Sequence, residues 1–259
     1  MKRLFAPSAT RRTLAIAALV LLCGARDPIL VPEVSQPEVQ VRQGFNGTQL
    51  LLFGAILDPE GTRAGRDYDI VVVLKGPTRS ITVREKEKVA GIWINARSAQ
   101  FRSAPSFYAI ASSRPIEQIV DARTAAIYEL GLPFIQLSPI GTIDPGEQVR
   151  FAAGLASMMA DDQLYRENSA GVSVKEQVLY QARIDLPSNV QTGSYTAETF
   201  AVTKGRVVAS AVARVEVNKR GFEKVVADFA DQASLLYGLF AVALSVGMGW
   251  LAGRFFPQG

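Results

Sequence analysis

From Ala233 to Gly253 the chain reads ASLLYGLFAVALSVGMGWLAG, with no charged residue, and it ends only a few positions later at Gly259. About 20 apolar residues suffice to cross the hydrocarbon core of a bilayer as a helix. The stretch predicts a transmembrane helix over 233–253, followed by a short tail, 254–259. Tyr237 and Trp250 lie near its two ends, where amphipathic aromatic rings settle at the membrane–water interface. Gly249 and Gly253 form a GxxxG pair, and Gly238, Ala241 and Ser245 add small residues toward the start. Small residues let a second helix approach closely, so Gly249 and Gly253 are the candidate helix-packing residues. Their partner is expected to be an integral membrane protein or a second copy of the chain.

The first residues orient that helix. Lys2, Arg3, Arg11 and Arg12 precede the apolar run Leu14–Leu22, and Cys23-Gly24-Ala25 supplies small residues at a cleavage position. This is the layout of a secretory signal peptide, predicted over 1–25. An uncleaved anchor is the alternative, but the apolar run is short for a span. A lipid-modified Cys23 is disfavoured by the bulky Leu22 before it. Each reading puts the body outside the cytoplasm and the tail inside it.

Removing 1–25 changes the charge balance. The whole chain carries 28 Lys+Arg and 24 Asp+Glu, a net charge of +4. All four basic residues of the leader leave with it, so the exported chain is formally neutral. No electrostatic footprint for nucleic acid remains. Cys23 is the single cysteine, so no intrachain disulfide can form and the body must hold by its core. Roughly 205 residues lie between the two apolar ends, enough for one large or two small domains.

That body reads as mainly β with a helical middle section. Thr48–Ile56 and Asp69–Lys75 are apolar on both faces, the pattern of strands covered on two sides. Asn46-Gly47-Thr48 spells a glycosylation sequon, though its Asn-Gly pair is explained by a tight turn. Ile81–Arg84 and Val89–Asn95 read as shorter strands, separated by the charged run Arg84–Lys88 as a solvated strand end or turn. Phe107–Ala111 completes a sandwich of short strands. Asp121–Leu130 predicts a helix stopped by Gly131 and Pro133. Asp144-Pro145-Gly146-Glu147 starts another, with Val149, Ala152, Leu155, Ala156 and Met159 on one apolar face. Period two then returns: Val178–Ile184, Tyr195–Val202 and Val207–Val217 predict strands in a Greek-key-compatible segment that packs on the rest. Phe222, Val225, Val226 and Phe229 recur at helical spacing and predict a juxtamembrane amphipathic helix.

The chemistry is defined by what is missing. The chain has no histidine, which excludes Ser-His-Asp and Cys-His nucleophiles, histidine zinc sites and a histidine general base. Without Cys23, thiol chemistry goes as well. Asp67 and Asp69 could face one side of a strand as an acid–base pair, but a solvated strand end explains them. Asp161-Asp162 lacks a loop of alternating oxygen ligands around it. Lys75-Gly76-Pro77-Thr78 lacks the spacing of a phosphate loop. Ser173 and Lys175 carry no further sign of a catalytic dyad, and Met158-Met159 reads as core filler. No catalytic residue, metal ligand or cofactor is expected, and the chain is read as not an enzyme.

Several runs together resemble a known family: LLLFGAI (50–56), DYDIVVVLKGPTR (67–79), GIWIN (91–95), RSAPSFYAIASSRP (102–115), TAAIYELG (124–131), ARIDLPSNV (182–190), GSYTAETF (193–200) and LLYGLFAVALSVGMGWLAGRFF (235–256). They are similar to the uncharacterised alphaproteobacterial "putative transmembrane protein" family, exported proteins with one C-terminal span. The resemblance carries over no site residue. It implies a bacterial inner-membrane protein with its body in the periplasm, and an accessory role beside an anion exporter of the sulfite/organosulfonate type.

The expected organisation is a signal peptide (1–25), an N-terminal region of Ig-like β-sandwich elements (26–113), a helical section (114–170) and a C-terminal β region (171–218). A juxtamembrane helix (219–232), the span (233–253) and a cytoplasmic tail (254–259) follow. The expected function is a non-enzymatic interaction module of an inner-membrane complex; the alternative is a carboxylate-based hydrolase or a solute-binding domain. N-terminal sequencing of the membrane-extracted chain is expected to begin at Arg26; a chain beginning at Met1 would establish the uncleaved anchor.

Overall fold

The computed structural model describes residues 28–41, 45–57, 68–176, 178–219 and 234–255. The expected signal peptide with Cys23, Asp67, and the expected juxtamembrane helix beyond Lys219 lie outside these residues. In chain order the strands before the helical section are β1 (Ile29–Val34), β2 (Glu38–Val41), β3 (Thr48–Leu57), β4 (Asp69–Lys75), β5 (Thr78–Val89), β6 (Ile92–Pro105) and β7 (Tyr108–Ser112). Helices α1 (Ile116–Ile119) and α2 (Ala122–Tyr128), a 3-10 turn (Leu132–Phe134) and α3 (Pro145–Asp161) come next. Then follow β8 (Tyr165–Asn168), β9 (Val172–Lys175), β10 (Leu179–Leu186), β11 (Gly193–Thr203), β12 (Arg206–Lys219) and the last helix, α4 (Ser234–Phe255).

The protein is mainly β, and most of its strands fall into two sheets. One has the order β1-β3-β10-β9, the other β2-β12-β11-β4-β7-β8, and β5 pairs with β6 in a separate arm. Neighbours are antiparallel except β2 with β12 and β7 with β8. The first strand region changes sheets: β1 pairs with β3, and after Pro37 the chain crosses so that β2 runs beside β12. The strands before and after the helical section therefore interleave in both sheets. The helical section expected over 114–170 also contains β8, an edge strand too short to show a period.

Alternation explains the core. In β3, Leu50, Leu52, Gly54 and Ile56 point inward; β10 sets Ile184, Ala182 and Tyr180 opposite the first three in register and adds Leu186 opposite Thr48. β4 is different: Ile70 to Leu74 are all fully buried, because the strand is central in its sheet and covered on both faces. α2 lies on the outer side of this sheet, where Tyr128 meets Phe200 edge-on at 5.5 Å between ring centroids.

Four tyrosines are among the largest fully buried side chains, and each hydroxyl has a partner. Tyr108 Oη donates to the Glu129 carbonyl (2.6 Å) and accepts from Gly131 N–H (3.1 Å), fixing the end of α2. Tyr165 Oη donates to Pro105 O at 2.8 Å, and Tyr195 Oη to Gln191 O at 2.6 Å. Tyr180 lies over Gly54, its register partner, and its hydroxyl sits 3.5 Å from Thr199 Oγ1 in the facing sheet. A Cβ on Gly54 would fall against the Val31 carbonyl oxygen and within 2.6 Å of the Tyr180 hydroxyl. Glycine is required there so that the ring can cross between the sheets.

Several expectations are corrected. The segment 89–95 is not one strand, because it spans the turn between two; the charged run Arg84–Lys88 is the solvated strand end that is one of its two readings. The charged run lies inside β5, and the turn is Ala90-Gly91, both at positive φ as a two-residue hairpin turn requires. In α3, Asp144 caps as expected, accepting from Gly146 N–H (2.8 Å) and Glu147 N–H (3.3 Å). Its buried face is Phe151, Leu155 and Met159, whereas Val149 is exposed, since the helix packs by one narrow edge. Met158 is exposed, so only one methionine of the pair fills core. Among the described residues no helix is long and apolar enough to cross a membrane. α4 runs 22 residues through the expected segment.

Gly54→Ala is expected to lower the unfolding free energy by up to ~3 kcal/mol through overpacking. Tyr195→Phe should cost ~1 kcal/mol by deleting one buried hydrogen bond. Urea unfolding of the two variants checks both values; a neutral Gly54→Ala would mean that Tyr180 does not need the space.

Candidate functional site

Of the carboxylates singled out in the sequence, Asp69 is engaged in holding the fold. Asp69, at the head of β4, receives Arg114 Nε at 2.7 Å and Arg114 Nη2 at 2.5 Å, and Ser113 Oγ donates to it at 3.0 Å. Burial pushes its carboxyl up, but the hydrogen bonds from Arg114 and Ser113 and the guanidinium charge outweigh this and hold it below its ordinary value. The cluster clamps the end of β7 to the start of β4, and Asp67 lies outside the described residues. Lys75 bonds Glu129 at 2.8 Å and lies 3.5 Å from Glu198, tying the end of α2 to the sheet rather than serving a phosphate loop. Asp161 and Asp162 are exposed at the end of α3. Ser173 and Lys175 are exposed on the outward side of β9. Among the described residues no group of His, Cys, Asp or Glu is placed to hold a metal ion. Gly249 and Gly253 both fall within α4, and the space beside Gly249 is open.

Glu167 faces a hollow of about 200 Å³ shared with Glu117 and Asp121. Burial raises its carboxyl, the Leu132 N–H opposes this, and the Glu117 charge raises it further. Among the described residues no Lys or Arg lines the hollow, although the charge of Arg123 acts on Asp121 from beside it, and the lining includes apolar side chains such as Ile116 and Phe134.

The feature that polar motifs did not reveal is an apolar face pointing away from the core. β3 turns Leu51, Phe53, Ala55 and Leu57 outward, and the ladder sets Ile29 and Val31 of β1 and Leu179 of β10 beside them. Ile29 and Leu179 are each 57% exposed, Phe53 39% and Leu57 48%. A shallow hollow of about 560 Å³ lies on this face, lined by Val31, Phe53, Gly54, Ala55, Leu179 and Lys175. The six-stranded sheet has α2 on its outer side; among the described residues no helix covers the four-stranded one. Contiguous exposed apolar surface of this kind marks an interaction site. The signal was in the sequence: β3 is apolar on both faces, the mark of a strand covered twice, and the body supplies only one cover.

A second exposed apolar group sits at the tip of the β5–β6 arm, where Val89, Ile92, Trp93 and Ile94 are 50%, 68%, 65% and 45% exposed. Read from the sequence, the same residues belonged to a short strand of the sandwich.

The family described as "Putative transmembrane protein (Alph_Pro_TM)" is matched over residues 29–258. No curated protein matches the chain.

The Asp69 carboxyl has a depressed pKa in the folded state, so its contribution to stability is present above its unfolded value of 3.8 and is lost as pH falls through the folded value. Asp69→Asn is expected to destabilise the body by ~1 kcal/mol at neutral pH, discounted for the exposed Arg114. Urea midpoints followed from pH 7 to below 3.8 should converge for the two proteins; a constant gap would show that the ionised clamp contributes nothing.

Proposed function

Because the chain belongs to this "putative transmembrane protein" family, we propose that it is a single-pass membrane protein whose extracytoplasmic body is a non-enzymatic docking module for an integral membrane partner. The anchor is α4. At 1.5 Å per residue its 22 residues extend ~33 Å, close to the ~30 Å of a hydrocarbon core. The sequence places no charge between Ala233 and Gly253. The signal-peptide layout of 1–25 supports a periplasmic body and a cytoplasmic tail. Gly249 and Gly253 give this helix a face for packing on a partner or a second copy.

The body is read as an Ig-like sandwich. The order β1-β3-β10-β9 corresponds to strands A-B-E-D of that architecture, and β12-β11-β4-β7 to G-F-C-C′. Tyr195, near the start of β11, bonds the carbonyl four residues upstream, which is the arrangement of a tyrosine corner. Such sandwiches serve many functions, so the site rather than the fold must carry the argument.

The outward apolar face of β1, β3 and β10 carries it. Leu51, Phe53, Leu57 and Leu179 favour a partner that supplies the cover β3 lacks. The absence of histidine, the engagement of Asp69 with Arg114 and the pairing of Lys75 count against a hydrolase. An anion exporter of the inner membrane is the partner class the resemblance implies.

A photo-crosslinking residue at position 53, introduced into the full chain in native membranes, tests this reading. The expected product is one adduct with an integral membrane protein. Phe53→Glu should reduce co-isolation of that protein about tenfold, as loss of a central apolar anchor does. Crosslinks confined to the chain itself, or none, would refute the docking face.

A further inference from the structure

We infer that the tip of the β5–β6 arm rests in the lipid headgroup layer of the membrane that anchors the chain. This rests on the anchored reading above and adds a second contact with the bilayer, made by the body itself.

Topology points the arm that way. β4 and β12 both pair antiparallel with β11, so they run in the same direction. Thr196 of β11 faces Lys75 on one side and Arg214 on the other, which puts the C-terminal ends of β4 and β12 at one end of the sheet. The chain leaves β12 from that end toward α4. The arm leaves from the same end, as a prolongation of the β4–β7 ladder. Gly76 N–H donates to Phe107 O at 2.8 Å and Ser106 N–H to Pro77 O at 2.9 Å, and Thr78 then pairs with Pro105. The 12 residues of β5 reach ~40 Å at ~3.3 Å each. The connection 220–233 can extend at most ~50 Å. A bilayer surface within ~40 Å of that end of the sheet lies within the reach of both.

The arm is braced at its base and bare at its tip. Val83, Ala99 and Phe101 are buried, and Arg97–Glu147 (3.0 Å) and Arg150–Glu85 (3.1 Å) tie its middle to α3. Beyond those pairs come Val89, Ile92, Trp93 and Ile94, all exposed around the tight Ala90-Gly91 turn. Tryptophan is the side chain most suited to the headgroup level, where its ring is half in apolar surroundings. Lys88 pairs directly across from Trp93, and Lys86 is across from Asn95 on the same side of the ribbon. Their ammonium groups suit anionic headgroups, and their methylene stems suit the apolar boundary below.

The two tryptophans of the chain, Trp93 and Trp250, make the test direct. Full-length Trp250→Phe protein reconstituted in phosphatidylethanolamine–phosphatidylglycerol vesicles reports on Trp93 alone, and Trp93→Phe protein reports on Trp250. Trp93 emission is expected to shift to the blue relative to detergent, to lose iodide quenching, and to be quenched by lipids brominated near the headgroup. Lys86→Glu with Lys88→Glu, or replacement of the anionic lipid, should weaken that quenching. Trp93 left open to iodide, while Trp250 is quenched by deeply brominated chains, overturns the lipid contact and leaves the anchor standing. Loss of quenching at both positions overturns the anchor and the contact together. Trp93 shielded from iodide but untouched by brominated lipid means that the tip meets protein, and also overturns the inference.

Discussion

Four tyrosine hydroxyls must be satisfied inside a core that has no disulfide to hold it, and the layout of the body follows from how that is done. A buried hydroxyl without a partner costs about as much as a hydrogen bond contributes, or more. Tyr108 therefore needs the Glu129 carbonyl in place, which requires α2 to end where it does, with Glu129 in a left-handed conformation. Tyr195 fixes the approach to β11 through Gln191, and Tyr165 holds β8 against the end of β6 through Pro105. Tyr180 reaches across toward Thr199 because Gly54 leaves room for its ring. Burial pushes the Tyr195 hydroxyl up to about 12, so it stays protonated and able to donate across the physiological range.

With the interior closed in this way, the polar groups that looked like chemistry in the sequence become connectors. Asp69 joins the head of β4 to Arg114, and Lys75 joins its end to Glu129 and Glu198. The chemically unexplained surface is apolar instead. A strand such as β3 carries large apolar residues on the side its own domain leaves open, and the arm carries a tryptophan and three aliphatic residues at its tip. The proposed docking role assigns the face to a protein neighbour, and the proposed lipid contact assigns the tip to the membrane.

Much of this was legible along the chain. Apolar runs located β3 and β4, and period-two alternation located β10, β11 and β12, each to within a residue or two, because each strand buries one face or both. Asp144-Pro145 marked the start of α3, because a cap is a local interaction. β1, β2 and β8 left no comparable trace: they are short, and β2 and β8 exist only by pairing with strands distant in sequence. The arm was misread for a related reason. Ala90-Gly91 is not a strong turn dipeptide, and a solvent-exposed ribbon has no buried face to impress a period on its charged residues. The exposed face of β3 was visible as composition but was assigned to a second covering layer, since alternation reports apolarity and not what covers it.

The sequence by itself determined the location signals, the absence of histidine and disulfide chemistry, the β-rich body and the uncharged C-terminal segment. These depend on residue identity and on neighbours a few positions away. Only the tertiary structure decided which apolar residues face the core and which face outward. It joined β2 to β12 across more than a hundred residues and β3 to β10 across a similar distance, and it pointed the arm toward the end from which the chain leaves for α4. Those outcomes are set by long-range strand pairing, in which one register choice places every side chain on a strand on one face or the other.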